Sequence, residues 1–178
     1  MKSQAKSLHV LLALETIQTV VKKQDLKRIK LKEIPVELTE KLACFVSIHL
    51  LDGSLRGCIG TIDPRENNLF FEIISNSVSA ATRDTRFLPI KKAELDELEI
   101  SVDVLSKPFL VEDIKTLDPE KFGVIVSDGQ FSRGVLLPAL EGIETVEKQI
   151  EIARKKAGLT HVDSSDLSIY AFTSTRYY

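Results

Sequence analysis

Ala43-Cys44-Phe45-Val46-Ser47-Ile48-His49-Leu50-Leu51-Asp52-Gly53-Ser54-Leu55-Arg56-Gly57-Cys58-Ile59-Gly60 is the stretch whose reading decides the fold. Residues 43–51 alternate and are rich in strand formers. Asp52-Gly53 is a strong hairpin signal, and residues 55–62 return as the partner strand. With Asp52-Gly53 as a two-residue turn, Leu51 faces Ser54, His49 faces Arg56 and Ser47 faces Cys58. Opposite residues share a face. One face then collects Cys44, Val46, Ile48, Leu50, Leu55, Gly57 and Ile59, a core surface. The other collects Phe45, Ser47, His49, Leu51, Ser54, Arg56 and Cys58. A four-residue loop keeps this sorting, whereas a three-residue loop reverses one strand against the other, so the clean apolar segregation favours an even loop.

Working outward, residues 3–23 read as an amphipathic helix with Leu8, Leu11, Leu12 and Val20 near helical spacing. The connection from Lys22 to Lys32 is cationic and is balanced by Glu33, Glu37 and Glu40. Asp63-Pro64-Arg65-Glu66 has the form of a helix start with Asp63 as N-cap, and the helix is expected to run to about Thr82 or Asp84, burying Phe70, Ile73, Ile74 and Ala81. Residues 98–105 form a second alternating strand, with Leu98, Ile100, Val102 and Val104 on one face and Glu99, Ser101 and Asp103 on the other. A hairpin around Asp128-Gly129 joins residues 123–127 to 131–137. A helix over 145–157 ends at Gly158, and a last strand spans 167–172. Strands joined by turns and interleaved with helices, without βαβ regularity, predict an α+β fold with a largely antiparallel sheet and packed helices.

Composition sets outer limits. The chain has 178 residues, enough for a single domain over 1–178 with a smaller sub-lobe in the middle of the chain. Its 24 Lys plus Arg against 26 Asp plus Glu give a net charge of −2. With no basic–aromatic interleaving, this argues against a nucleic-acid-associated regulator. No apolar run is long enough to span a membrane, and Cys44 and Cys58 make neither a disulfide framework nor a zinc pattern, so a cytoplasmic location is expected. Phosphate-binding loops, dinucleotide fingerprints, metal-ligand spacings and nucleophile elbows are missing, which leaves the cofactor unspecified and no metal site expected.

Chemistry concentrates on the polar hairpin face. Cys58 falls diagonal to His49, roughly 7–8 Å away along the backbone grid. Arg56 lies two residues away on the same strand, and a cation beside a thiol favours the nucleophilic thiolate. Gly57 and Gly60 let a backbone or ligand approach closely. The catalytic candidates are therefore Cys58 as nucleophile and His49 as base, in a glycine-lined recess. A packing explanation stands beside this one and is the simpler on spacing alone: cysteine is often buried as a small hydrophobe, and strand glycines often mark bulges. Arg83, Asp84 and Arg86 form a second charged cluster at a helix end, where they could aim into a cleft or cap helix carbonyls. Glu99 is a further binding candidate on its half-exposed strand.

Leu55-Arg56-Gly57-Cys58-Ile59-Gly60 resembles the signature hexapeptide of the AMMECR domain family. Arg83-Asp84-Thr85-Arg86-Phe87-Leu88-Pro89, Glu99-Ile100-Ser101-Val102, Gly134 to Pro138 and Lys156-Ala157-Gly158-Leu159 resemble further family elements, in order across nearly the whole chain. The resemblance implies two lobes of unequal size with a cleft near the hexapeptide. It also implies work alongside a Memo-like protein and a radical S-adenosylmethionine protein. It brings no established catalytic activity, so a small-molecule or peptide-binding cleft and a non-catalytic partner or scaffold module both stand as expectations. The chain departs from the family pattern in lacking the tryptophans common near the C-terminal helix and in Ser77-Val78-Ser79-Ala80-Ala81, more polar than the usual alanine-rich helix, which bears on partner surfaces rather than on the fold.

Overall fold

The computed structural model describes residues 7–29 and 33–178. Residues 3–6 of the expected first helix, and Lys30 and Lys32 of the cationic connection, lie outside the described residues. The chain divides into two compact units, one of residues 1–104 with 175–178 and one of residues 105–174.

In the first unit α1 (Leu8–Val21) starts at Ser7, whose Oγ accepts the Val10 amide. Its buried stripe is His9, Val10, Leu12, Ala13, Thr16, Ile17 and Thr19. Leu11, expected to face inward, is 49% exposed, so the apolar stripe is rotated by about one residue. Strands β1 (Cys44–Leu50), β2 (Leu55–Gly60) and β3 (Leu98–Leu105) join a late strand, β8 (Ser174–Tyr177), in the order β2-β1-β3-β8. The pairs β1–β2 and β1–β3 are antiparallel. α2 (Leu69–Thr82) begins after Asn68, whose Oδ1 accepts the Phe71 amide. Cys44, Val46, Ile48, Ile100, Val102 and Val104 of the sheet share one core with Val10, Ala13, Ile17, Leu69, Phe70 and Ile73 of the helices.

The helix start expected at Asp63-Pro64 falls five residues later. The amides of Arg65 and Glu66, which a helix there would have aligned, instead donate to Oε2 of buried Glu72, at 2.9 and 2.8 Å. Glu72 thus organises the loop before its own helix. Of the residues expected to be buried, Phe70, Ile73 and Ala81 are buried, whereas Ile74 is only half-buried.

The second unit contains β4 (Phe109–Leu110), β5 (Gly123–Ser127), β6 (Arg133–Leu136) and β7 (Ser168–Phe172), ordered β4-β7-β5-β6 with antiparallel pairs throughout. α3 (Val146–Ala157) is capped by Thr145 and ends at left-handed Gly158, φ 71°. Its Ala153 packs with Val124, Val126, Leu136 and Leu159. Gly134 lets the helix come this close, since a Cβ there would collide with the Ala153 carbonyl. The fold is α+β with antiparallel sheets.

Candidate functional site

The hairpin turn is formed by Leu51, Asp52 and Gly53. The Leu50 amide donates to the Ser54 carbonyl and the Gly53 amide donates to the Leu50 carbonyl, both at 2.9 Å. Gly53 has φ +82°, which an L side chain rarely adopts. A three-residue loop shifts the pairing by one, so His49 lies opposite Leu55 rather than Arg56. A bulge at Arg56 then takes up the extra residue, and beyond it Ile48 meets Gly57 and Ser47 meets Cys58. The two irregularities cancel, so the inner half of the hairpin keeps the register expected from an even loop.

Cross-strand pairing builds rows on the polar face. Cys58, Ser47 and Ser101 form one row across β2, β1 and β3, and His49 and Glu99 form the next. Ser47 and Ser101 are buried, Cys58 and His49 are half-exposed, and Glu99 is exposed. The Ser47 hydroxyl donates to Cys58 Sγ at 3.3 Å. The thiol therefore takes its hydrogen bond from Ser47, while His49 stands diagonal to it. Asp103 of the same face, also buried, accepts from Arg176 Nε at 2.9 Å.

Asp84 and Arg86 hold the Cys58 backbone. Cys58 N–H donates to Asp84 Oδ2 at 2.8 Å, and Arg86 Nη2 donates to the Cys58 carbonyl at 3.2 Å. Arg86 also grips Asp84 with Nε on Oδ1 at 2.9 Å and Nη2 on Oδ2 at 2.7 Å. β2 is an edge strand, so these two side chains occupy the hydrogen-bonding groups that a further strand would take. The Arg86 guanidinium and the amides of Cys58 and Arg86 hold the Asp84 carboxyl down to about 2. Arg83 ends α2 as its C-cap residue, with an exposed side chain.

Arg56 is already paired. Its guanidinium forks onto Glu94, with Nε to Oε1 at 2.7 Å and Nη2 to Oε2 at 3.2 Å, and lies 6.0 Å from the Phe87 ring centroid. The bulge redirects this side chain toward Glu94, a residue the sequence reading did not single out. Gly57 and Gly60 do permit close approach, but the protein itself fills the space. A Cβ on Gly57 would sit 2.5 Å from the Ala80 carbonyl of α2, and one on Gly60 would strike the Phe45 ring.

Cys44 lies on the apolar face with no exposure, and its amide neighbour Asn76 donates to its carbonyl at 3.0 Å. Burial pushes the Cys44 thiol up to about 12. Among the described residues no cluster of three or more His, Cys, Asp or Glu is arranged to hold a metal ion, and no helix is long and apolar enough to cross a membrane.

The chain as a whole is similar to known proteins. The AMMECR1 family model matches residues 10–177. A protein of Thermotoga maritima is 50% identical over 147 residues, covering 82% of this chain and 83% of that protein. A protein of Clostridium acetobutylicum is 41% identical over 182 residues, which takes in 99% of this chain but only 37% of the longer relative. The crystal structure of an uncharacterized protein from Pyrococcus horikoshii superposes with a TM-score of 0.83 at 31% identity, over 94% of this chain and 88% of that one. Sequence and fold agree: the chain belongs to the AMMECR1 family.

Proposed function

We propose that the protein binds a small-molecule or peptide ligand beside Cys58, on the polar row that Cys58 shares with Ser47 and Ser101. The supporting observation is a half-exposed thiol on a backbone pinned at both its N–H and its carbonyl, by Asp84 and Arg86. Such fixation preorganises a contact atom, and a side chain so held loses little freedom when a ligand arrives. His49 and Glu99, on the adjoining row, are the acid–base groups available to that ligand. The proposed role includes work alongside a Memo-like protein and a radical S-adenosylmethionine protein, as the family resemblance implies. The test is N-ethylmaleimide labelling of native protein, located by mass spectrometry, after incubation with cell extract fractionated at 1 kDa. Protection of Cys58 by the small fraction, lost when that fraction is removed by dialysis, is the expected result. Labelling at Cys58 that no fraction slows counts against a ligand site.

A second reading is favoured by one observation. Arg56, Gly57 and Gly60 are all engaged within the protein, which suits a segment whose shape is presented to a partner. Protection of Cys58 by the large fraction alone, or by the purified Memo-like or radical S-adenosylmethionine protein, selects this partner-module role.

A further inference from the structure

The cationic connection after α1 has a neighbour that its sequence does not reveal. Leu26, Ile29 and Ile34 come together with Phe70, Phe71 and Ile74 of α2 around a groove of about 510 Å³, and Lys27 stands on its rim. The size is that of a small-molecule site, rather than of a groove for a partner helix several turns long. Its walls are firm: Phe70 is 3% exposed and Ile29 8%, and Phe70 and Phe71 meet edge to face with centroids 5.1 Å apart. Phe71, by contrast, is 45% exposed, an aromatic side chain turned to solvent from the first turn of a 14-residue helix.

Lys27 is the one charged side chain among the described residues that line the groove. The first turn of α2, which supplies Phe70 and Phe71, is the positive end of the helix dipole, and its own acid, Glu72, is buried and takes the amides of Arg65 and Glu66. Lys22 and Lys23, both exposed, belong to the same connection. Of the nearby acids, Glu33 is exposed beside Ile34 and Asp25 has one carboxylate oxygen taken by the Lys27 amide, at 2.9 Å; neither is among the described residues that line the groove.

We propose that this groove is a second binding site, for an amphipathic monoanion: an aliphatic or aromatic body seated against Phe70, Phe71 and Ile74, with a carboxylate at Lys27. The apolar walls exclude a polar metabolite, because its buried hydrogen-bonding groups would find no partners there. The rim cation distinguishes an acid from the neutral molecule of the same body. The described residues that line the groove fall between Leu26 and Ile74, and Cys58 is not among them.

The experiment is calorimetric titration of the full chain with sodium decanoate and, in parallel, with decanol, using fluorescence of 1-anilinonaphthalene-8-sulfonate as a displaceable reporter. Saturable one-to-one decanoate binding that displaces the reporter is expected, with decanol weaker. Lys27→Glu should weaken decanoate about fivefold, the scale of one exposed ion pair, and leave decanol unchanged. Phe71→Asp should abolish both, and circular dichroism will show whether that variant is folded. Lys27→Glu, at an exposed position, decides the matter if it is not. No saturable decanoate binding, equal affinity for acid and alcohol, or a Lys27→Glu variant that binds decanoate as the parent does would each overturn the proposal.

Discussion

The amide of Cys58 donates to the carboxylate of Asp84 across 26 residues of sequence, at 2.8 Å. This bond, with the Arg86 guanidinium behind it, seals the outer side of β2. Asp84→Ala would leave that amide without its acceptor and is expected to cost about 1–3 kcal/mol in urea unfolding. Arg86→Ala should cost less, under about 1 kcal/mol, because its side chain is 55% exposed and water can replace it. Equal losses from the two substitutions would contradict the clamp as drawn.

The same carboxylate fixes a pH dependence. Its folded value is depressed to about 2, so its contribution is fully present above the unfolded value of about 4. It is lost as pH falls from about 4 through about 2. Unfolding midpoints measured from pH 6 to pH 2 should fall more steeply for the parent chain than for Asp84→Asn. Parallel curves would contradict the assignment.

Gly57 answers to packing. Alanine there must push against the Ala80 carbonyl, since its Cβ would lie 2.5 Å away, so α2 and β2 have to separate. Gly57→Ala is expected to lose about 1–3 kcal/mol of stability by thermal or urea unfolding. A variant as stable as the parent would show that the helix yields freely at this point.

The two cysteines should behave differently toward alkylating reagents. Cys44 is fully buried with its thiol pushed up to about 12, whereas Cys58 is half-exposed. Iodoacetamide on native protein at pH 8 should label Cys58 well before Cys44. Because Arg56 is committed to Glu94 and Arg86 lies against the Cys58 carbonyl, Arg86→Ala should change the Cys58 rate more than Arg56→Ala does. The reverse order would restore Arg56 as the activating cation.

His9 offers a second titration. It is 5% exposed and stacks on Tyr177 with ring centroids 3.8 Å apart, and burial lowers its pKa against the opposing pull of Glu37. For a base with a lowered folded value, the neutral side chain stabilises the fold above the unfolded value of about 6.5. That contribution is lost as pH falls through about 6.5 toward the folded value. The parent should lose more stability between pH 7.5 and pH 5 than His9→Phe, which keeps a ring against Tyr177.

How far these features could be read in advance depended on their range. The hairpin, most of its core face and the Ser47–Cys58 pairing follow from alternation and from Asp52-Gly53, but Leu55, expected on the core face, lies opposite His49 and is 37% exposed. The outer register did not, because a three-residue loop and a bulge at Arg56 leave the same inner pattern as an even loop. The helix start was misplaced because Asp63-Pro64 carries the local signature, while Glu72, seven residues beyond Arg65, competes for the amides. Asp84 and Arg86 were visible as a charged pair, but their hold on Cys58 joins distant segments that no local pattern connects. β8 escaped for the same reason: Ser174-Thr175-Arg176-Tyr177 has little apolar alternation and becomes a strand by pairing far back along the chain.

That late strand delays completion of the first unit's sheet until residues 174–177 are made. β8 completes the sheet that β1, β2 and β3 begin, yet the ribosome makes it only after all of residues 105–173. The intervening unit closes on itself without β8: the Ser106 amide donates to the Thr173 carbonyl and the Thr173 amide to Ser106 Oγ, both at 2.9 Å. Until β8 emerges, β3 lacks its outer neighbour, His9 lacks the Tyr177 ring, and Asp103 lacks Arg176. A chain cut back to residue 173 would therefore keep every strand of the later unit, while the sheet of the earlier unit would lack its last one.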